Sequence, residues 1–445
     1  MNAIWLLMGL LLLAYLGSSL VSGHSIRGFG LPSGAEYLML GLVLGPHMLG
    51  LLERSTVAVF HPFAEAAAGW VALVVGLDYG FVGDRRVKLG NLALGSLISL
   101  GSGALIAVAV YAALATFSTL GRSELLLCAG GTGAACAETT RHAVRWVVQR
   151  YGASGPLSTL LAELADSDDA MPILATALLF AMRPTGHLPW PMPALGWAAL
   201  TLGLGALLGT IAALLLGRDF RLDESWGVLL GASVLAIGLS TRLGLSPLTT
   251  MFAFGVAVAT VSPHRDEVWA MVEPTERAVL QPLLLLAGAR IDADAVPAGY
   301  WVIGAALCAR VLAKGATGLA LRKTTAAART APPSLGLGLL STGAVCLSIG
   351  LLFALRFPGP VGDTVLVTAA ALTVFGEFVG PRQLRSALRH VGEIALKTPL
   401  PTPSAFAALR RSLLPPAPPD EMPSAAKGSG SAPPSQPPPA PRSEP

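Results

Sequence analysis

Long apolar segments follow one another along most of this chain, and only short charged gaps separate them. A segment that crosses a bilayer as a helix needs about 20 mostly apolar residues. By that measure the sequence predicts thirteen spans, at residues 3–22, 33–52, 62–82, 89–117, 123–141, 156–182, 191–217, 225–241, 246–263, 276–290, 299–321, 334–356 and 361–381. The sequence therefore predicts an all-α polytopic membrane protein.

The composition supports this class. Hydrophobic side chains make up 53% of the chain and charged ones 13%, whereas an average soluble domain has about 25% charged residues. These values exclude a soluble enzyme, a disordered protein and a disulfide scaffold. An outer-membrane barrel is disfavoured because its strands would alternate apolar and polar residues.

Basic residues in the gaps predict the orientation. When each gap is numbered by the span that it follows, the odd gaps hold roughly 16 Lys and Arg residues and the even gaps roughly 6. Basic residues are enriched on the cytoplasmic side of membrane proteins. We therefore expect the odd gaps and the C-terminus in the cytoplasm and the N-terminus outside. The same bias accounts for the net charge of +4, so no nucleic-acid partner is expected.

The spans divide into two halves. Residues 3–185 hold six spans, 191–217 hold a connector helix, and 225–385 hold six more. The first spans of the two halves run in opposite directions, which predicts the inverted repeat common among secondary transporters. Together they form a membrane domain over 1–397. Residues 398–445 are rich in Pro, Ser and Ala and are expected to form a disordered cytoplasmic tail.

Glycine interrupts the fifth span of each half. Gly131 and Gly133 precede Glu138, Thr139 and Thr140 in the first half, and the corresponding span of the second half holds Gly336, Gly338 and Gly343. Each glycine weakens a helix by about 1 kcal/mol. We expect both spans to unwind within the membrane, as transport sites require. The alternative is close helix packing through small residues.

Four acidic residues lie within seven positions of the sixth span, namely Glu163, Asp166, Asp168 and Asp169, and Pro172 follows them. A carboxylate at the bilayer centre costs about 2.5 kcal/mol or more, so such a cluster indicates a function. A buried carboxylate can hold either a proton or a cation. The alternative, that the cluster lies in water at a span end, is disfavoured because apolar residues flank it on both sides.

Span 11 supplies basic partners. Arg310 and Lys314 are four residues apart and therefore share a helix face. A cation inside the membrane normally pairs with an acid or with carbonyl groups, although Lys314 could instead extend to the interface. Asp78 at the end of span 3 is interpreted as a cap.

Several stretches, in this order, resemble the bacterial monovalent cation:proton antiporter superfamily in its sodium/hydrogen exchanger and Kef-type branch. They are Leu40–Pro46, Trp70–Asp78, Arg150–Leu157 leading to Asp168-Asp169, Leu285–Asp292, Arg310–Gly318, Gly336–Ala344, and Phe375–Pro381 running on to Glu393. No single stretch is specific, but the ordered set is, and it covers nearly all of residues 3–395.

The resemblance implies a core domain that slides against a dimerisation domain, with two broken helices that cross. It identifies Asp168 and Asp169 as the pair that binds a monovalent cation or protons, with Asp169 essential. In this family an acidic pair is associated with electrogenic exchange. Arg310 matches the family's basic position, and Lys314 stands beside it. The crossover matches Thr139 and Thr140 in one span and Ser341 and Thr342 in the other, with Gly131 and Gly133 nearby.

The expected function is exchange of a monovalent cation, sodium in preference to potassium, for protons across the bacterial inner membrane. Expected ion or proton ligands are Asp168, Asp169, Asp166, Thr139 and Thr140, and we expect a homodimer in contact with lipid, with no cofactor. The chain departs from the family in having Glu138-Thr139-Thr140-Arg141 where a proline motif is usual. A sodium-coupled symporter is the alternative, and a prenyltransferase is disfavoured because a second aspartate-rich motif is missing.

Overall fold

The computed structural model describes residues 33–80, 89–183, 192–217 and 222–394. These residues form helices joined by turns and loops, with no strand among them. The predicted first span at 3–22 and the predicted tail at 398–445 lie outside the described residues.

Sixteen α-helices and one 3₁₀ helix make up the described part of the chain. They are α1 Ala35–Leu44, α2 Arg54–Val59, α3 His61–Asp78, α4 Leu89–Phe117, α5 Arg122–Ala135, α6 Arg141–Tyr151, α7 Pro156–Ser167, α8 Ala170–Ala181, α9 Ala194–Leu215, α10 Leu222–Arg242, α11 Pro247–Val261, α12 Arg265–Val272, α13 Thr275–Arg290, α14 Gly299–Thr324, the 3₁₀ helix Pro333–Leu339, α15 Ala344–Arg356 and α16 Pro360–His390.

Five helices in the described ranges, α4, α9, α10, α14 and α16, are long and apolar enough to cross a membrane unaided. The 3₁₀ helix and α15 meet at 51° and would together make a sixth, broken span. The remaining predicted spans that are described coincide with helices that are shorter, broken or more polar. The all-helical membrane class is confirmed, whereas the count of thirteen spans stays a prediction.

The helices pack into two groups. We call α1, α3, α9, α10, α11 and α13 the scaffold helices, and α4, α5, α7, α14, α15 and α16 with the 3₁₀ helix the site helices, because contacts are densest within each set. Each group draws helices from both predicted halves of the chain. The scaffold is held by close approaches at glycine, since a Cβ on Gly255 would stand 2.5 Å from the carbonyl oxygen of Leu73. Small residues permit such contacts between membrane helices.

Large apolar side chains cover the outer faces of the long helices. Leu97 and Val108 on α4 and Leu207 and Leu214 on α9 are all more than half exposed. Apolar patches on this scale mark a surface that faces lipid or another protein. Charge is concentrated instead at the helix ends and in two buried clusters, one around Asp168 and one around Arg141.

Candidate ion-binding site

Two helices are broken at the centre of the site helices, and their breaks cross. The first break is Cys136–Thr140, between α5 and α6, and the second is Leu340–Gly343, between the 3₁₀ helix and α15. The backbone N–H of Thr140 donates to the carbonyl of Ser341 over 3.0 Å. Breaks of this kind free backbone donors and acceptors that must find partners inside the protein.

The glycines expected to cause the first break do not lie in it. Gly131 and Gly133 are inside α5, which continues to Ala135. A Cβ on Gly133 would come within 2.5 Å of the carbonyl oxygen of Gly103 on α4, and one on Gly131 within 2.7 Å of the Phe353 ring. The prediction that these residues unwind is therefore wrong, and their role is close packing, the alternative that the sequence left open. Packing offsets the weak helix propensity of glycine.

Arg310 supplies donors to the freed carbonyl groups. Its side chain is 1% exposed. The guanidinium donates to the carbonyl oxygens of Glu138 at 2.7 Å and Leu340 at 3.1 Å, and also to that of Cys136. The guanidinium, a planar cation with five N–H groups, therefore donates hydrogen bonds to carbonyl oxygens in both breaks. Arg310 is a partner of backbone carbonyls rather than of a carboxylate.

Glu138 supplies acceptors to the freed N–H groups. One carboxylate oxygen accepts from the N–H of Gly343 at 2.8 Å and of Cys346 at 2.9 Å, at the beginning of α15. A negative charge is favourable at a helix N-terminus. In the sequence, Glu138 stands out only as a departure from a family motif. The signal available was an acidic residue in an apolar span next to a predicted break.

Asp168 and Asp169 lie where α7 ends and α8 begins, and they are 3% and 2% exposed. The N–H of Thr139 donates to Asp168 Oδ2 at 2.9 Å, and Lys314 Nζ lies 3.5 Å from the same oxygen. Lys314 also donates to the Thr139 hydroxyl at 2.7 Å. Asp168, Lys314 and Thr139 therefore form one connected cluster between the first break and the sixth predicted span.

Each aspartate keeps one unused oxygen. Asp168 Oδ1 and Asp169 Oδ1 are buried and accept no hydrogen bond from the described residues. Buried acceptors without a partner are costly, so the cluster can take up a proton or a small cation.

The predicted ligand Asp166 and the predicted crossover residues Ser341 and Thr342 do not contact this cluster. Both oxygens of Asp166 accept from Arg145 at 2.9 Å, and the Asp166 side chain is 28% exposed. The hydroxyl of Ser341 donates to the carbonyl of Gly376. The hydroxyl of Thr342 lies 2.8 Å from that of Thr373. These two residues lie in the second break, but their hydroxyls are directed at α16 and not at the aspartates.

Thr140, the last predicted ligand, joins the breaks through its backbone rather than its hydroxyl. Its N–H donates to Ser341. A Cβ on Gly343 would meet the Thr140 hydroxyl oxygen at 2.5 Å, so the glycine leaves the room that this side chain occupies. Of the predicted ligands, the structure brings Asp168, Asp169 and Thr139 together, with Lys314 as the charge partner.

A second buried ion-pair network joins α6 to the scaffold helices. Arg141 pairs with Asp78 on α3 and, at 2.9 Å, with Glu276 on α13. His142 Nε2 lies 3.2 Å from the same Glu276 carboxylate, and Trp269 donates to Asp78 at 2.8 Å. Asp78 is therefore a partner of Arg141 and not a simple cap of its helix. The sequence analysis did not find this network.

The sequence of this chain also matches a known protein family. The family model described as "Sodium/hydrogen exchanger, transmembrane" matches residues 10–381. The chain belongs to the sodium/hydrogen exchanger family. This family falls within the cation:proton antiporter superfamily, so the protein is a multi-pass membrane transporter and not an enzyme.

Solved structures support the fold. A structure of the sodium proton antiporter MjNhaP1 from Methanocaldococcus jannaschii at pH 8 is similar with a TM-score of 0.64 at 14% identity, covering 88% of this chain and 99% of that one. A second structure of MjNhaP1, from electron microscopy, gives a TM-score of 0.56 at 16% identity over 89% and 97% of the two chains. No curated protein sequence matches this exchanger.

Proposed function

We propose that this exchanger moves sodium, in preference to potassium, against protons across the bacterial inner membrane, and that Asp168 and Asp169 hold the two ions in turn. The observation that carries the proposal is the pair of buried carboxylates, each with one oxygen that lacks a hydrogen-bond partner among the described residues. We favour sodium over potassium as the transported cation because the similar solved structures are of a sodium proton antiporter.

Competition for the same oxygens supplies the coupling. A proton on Asp169 removes the charge that a cation needs, and a bound cation repels the proton, so the two ions exclude each other. Lys314, 3.5 Å from Asp168, neutralises this carboxylate when no metal ion is bound. Thr139 holds both groups through its N–H and its hydroxyl. Arg310 and Glu138 keep the two breaks in place around the carboxylates.

Transport also requires access from alternate sides. The division into site helices and scaffold helices suits a movement of one group against the other, as in transporters built from inverted repeats. Binding energy can drive such movement only if the ions bind the two states differently. Arg141 lies on α6, which packs against the site helices α7 and α16, and it pairs with Asp78 and Glu276 on the scaffold helices. Formation of this network in one state and its loss in another would supply such a difference.

Orientation and assembly complete the proposal. The bias of basic residues in the gaps supports an external N-terminus and a cytoplasmic C-terminus. A homodimer in contact with lipid follows from the family resemblance. Labelling of single cysteines placed in the gaps, from one side of the membrane, tests the orientation, and the mass of the purified protein in detergent tests the dimer.

The decisive experiment measures currents from proteoliposomes on a solid support after jumps in sodium or potassium concentration at several pH values. We expect a sodium response that D169N abolishes. The matched control is D166N, which removes a carboxylate three residues away that is paired with Arg145 and should preserve exchange. Exchange that survives in D169N would refute the assignment, and uptake of an organic anion with sodium would indicate a symporter.

A further inference from the structure

A cavity of about 260 Å³ lies at the end of the protein where α1, α13 and α16 meet, away from the aspartate cluster. Charged or metal-binding side chains line it, namely His47, Arg54, Arg290, Asp292 and Asp363. Arg54 and Asp292 lie in even-numbered gaps, so the bias of basic residues predicts that this end faces outside. Neither the proposed exchange nor the family comparison assigns a role to it.

Three side chains at the cavity converge as metal ligands would. The ligand atoms of His47, Asp292 and Asp294 all lie within 4.8 Å of one another. His47 Nε2 is 3.5 Å from Asp292 Oδ2. Two ligand atoms bound to one tetrahedral zinc ion lie about 3.4 Å apart, because each metal–ligand bond is about 2.1 Å long. The two atoms therefore need almost no movement to share a zinc ion.

Arg54 already places a cation between these ligands. Its Nη2 is 2.5 Å from Asp292 Oδ2 and 3.1 Å from His47 Nε2. Nη2 of Arg54 therefore contacts the same two ligand atoms that a metal ion shared by His47 and Asp292 would bind. The Arg54 side chain is 64% exposed and is free to move aside.

Asp363 gives independent support for a cation at this place. It lies in the first turn of α16, is 7% exposed and lines the same cavity. Its carboxylate forms no hydrogen bond or ion pair within the described ranges, and it is buried in the same wall as Arg290 and close to the charges of Asp292 and Arg54. Asp292 and Asp363 line the cavity together with Arg54 and Arg290, and the exposed Asp294 lies beside Asp292. The acidic groups therefore outnumber the arginines, and their excess grows when Arg54 moves out.

We propose that His47, Asp292 and Asp294 form a binding site for a zinc-class divalent cation, in which Arg54 occupies the cation's place until the metal displaces it. Imidazole nitrogen together with carboxylate oxygen suits zinc, which takes a water molecule as its fourth ligand. Magnesium and calcium prefer oxygen ligands alone. Asp363 adds negative charge from the opposite wall of the cavity and strengthens binding without acting as a necessary ligand.

Isothermal titration of the purified full chain with zinc chloride, after removal of any histidine tag, tests the site without a transport assay. We expect one zinc ion per chain and much weaker binding of magnesium and calcium. H47A and D294N should each weaken zinc binding at least about 10-fold, since even loss of a supporting group around a metal costs that much. H390A is the matched control, because His390 is also exposed but lies at the other end of α16.

R54Q gives the sharpest result, because the proposal predicts that it tightens zinc binding by removing the competing cation. General damage to the loop would weaken binding instead, so a gain separates competition from misfolding. Absence of zinc binding, zinc binding unchanged in H47A and D294N, or calcium bound as tightly as zinc would each overturn the proposal. These outcomes leave the exchange mechanism untouched, since that mechanism depends on Asp168 and Asp169.

Discussion

Glu138 is the side chain whose replacement best tests the crossing of the two broken helices. One of its oxygens accepts from two N–H groups, those of Gly343 and Cys346, at 2.8 and 2.9 Å. Glu138 itself is 1% exposed, so water cannot replace it. E138A therefore leaves two buried donors unsatisfied. Each such group costs about 1–3 kcal/mol, and the expected loss is about 2–6 kcal/mol of unfolding free energy.

E138Q separates geometry from charge. The amide oxygen of glutamine can accept both hydrogen bonds, while the negative charge at the beginning of α15 is lost. Hydrogen bonds to a charged group contribute about 1 kcal/mol more than neutral ones, so two of them predict a loss of about 2 kcal/mol. The expected order of stability is wild type, then E138Q, then E138A.

Unfolding by stepwise replacement of mild detergent with dodecyl sulfate, followed by tryptophan fluorescence, measures this order. E124Q is the matched control, because Glu124 accepts a backbone N–H at 3.2 Å at the exposed start of α5 and should change stability by less than about 1 kcal/mol. If E138A proved as stable as E138Q, the two hydrogen bonds would contribute nothing, and the explanation of the crossing would fail.

Three further substitutions test other parts of the site. R310M leaves carbonyl groups of both breaks unpaired and should cost about 3 kcal/mol or more in the same assay; a loss below 1 kcal/mol would contradict the role given to this side chain. E393A removes the carboxylate that accepts from the N–H groups of Leu157 and Ser158 at the start of α7, with an expected loss of about 0.5–2 kcal/mol that E393Q largely avoids. R141Q leaves the buried Glu276 with His142 alone and Asp78 without its arginine, and it should cost about 3–5 kcal/mol. The double variant R141Q/E276Q should recover part of this loss, and no recovery would show that the pair is not coupled.

The positions of the described helices follow closely from local sequence. The predicted span at 89–117 is α4 at Leu89–Phe117, and 299–321 is the first part of α14. Length and hydropathy suffice here because a membrane helix satisfies its own backbone. The boundaries of the broken helices were less accurate, since a break depends on which side chains reach the freed groups. Gly131 and Gly133 are the clearest example.

The candidate site shows the same contrast between properties that follow from local sequence and properties that depend on contacts. Burial of a charge inside an apolar span is costly wherever its partner lies, so Asp168, Asp169, Arg310 and Lys314 were identifiable as candidate functional positions before any contact was known. Their partners were not. Thr139, which contacts both Asp168 and Lys314, was expected from the family resemblance only.

The sequence alone determined that this chain spans a membrane, that it belongs with cation:proton antiporters, and which charges are buried at a cost. Those properties depend on short segments and on their order. Only the tertiary structure decided that Arg310 binds carbonyl groups and that Glu138 caps α15. It also decided that Asp166 pairs with Arg145 and not with the buried aspartate cluster. Each of these depends on groups brought together from distant or differently oriented segments, and hydropathy carries no information about which donor will meet which acceptor.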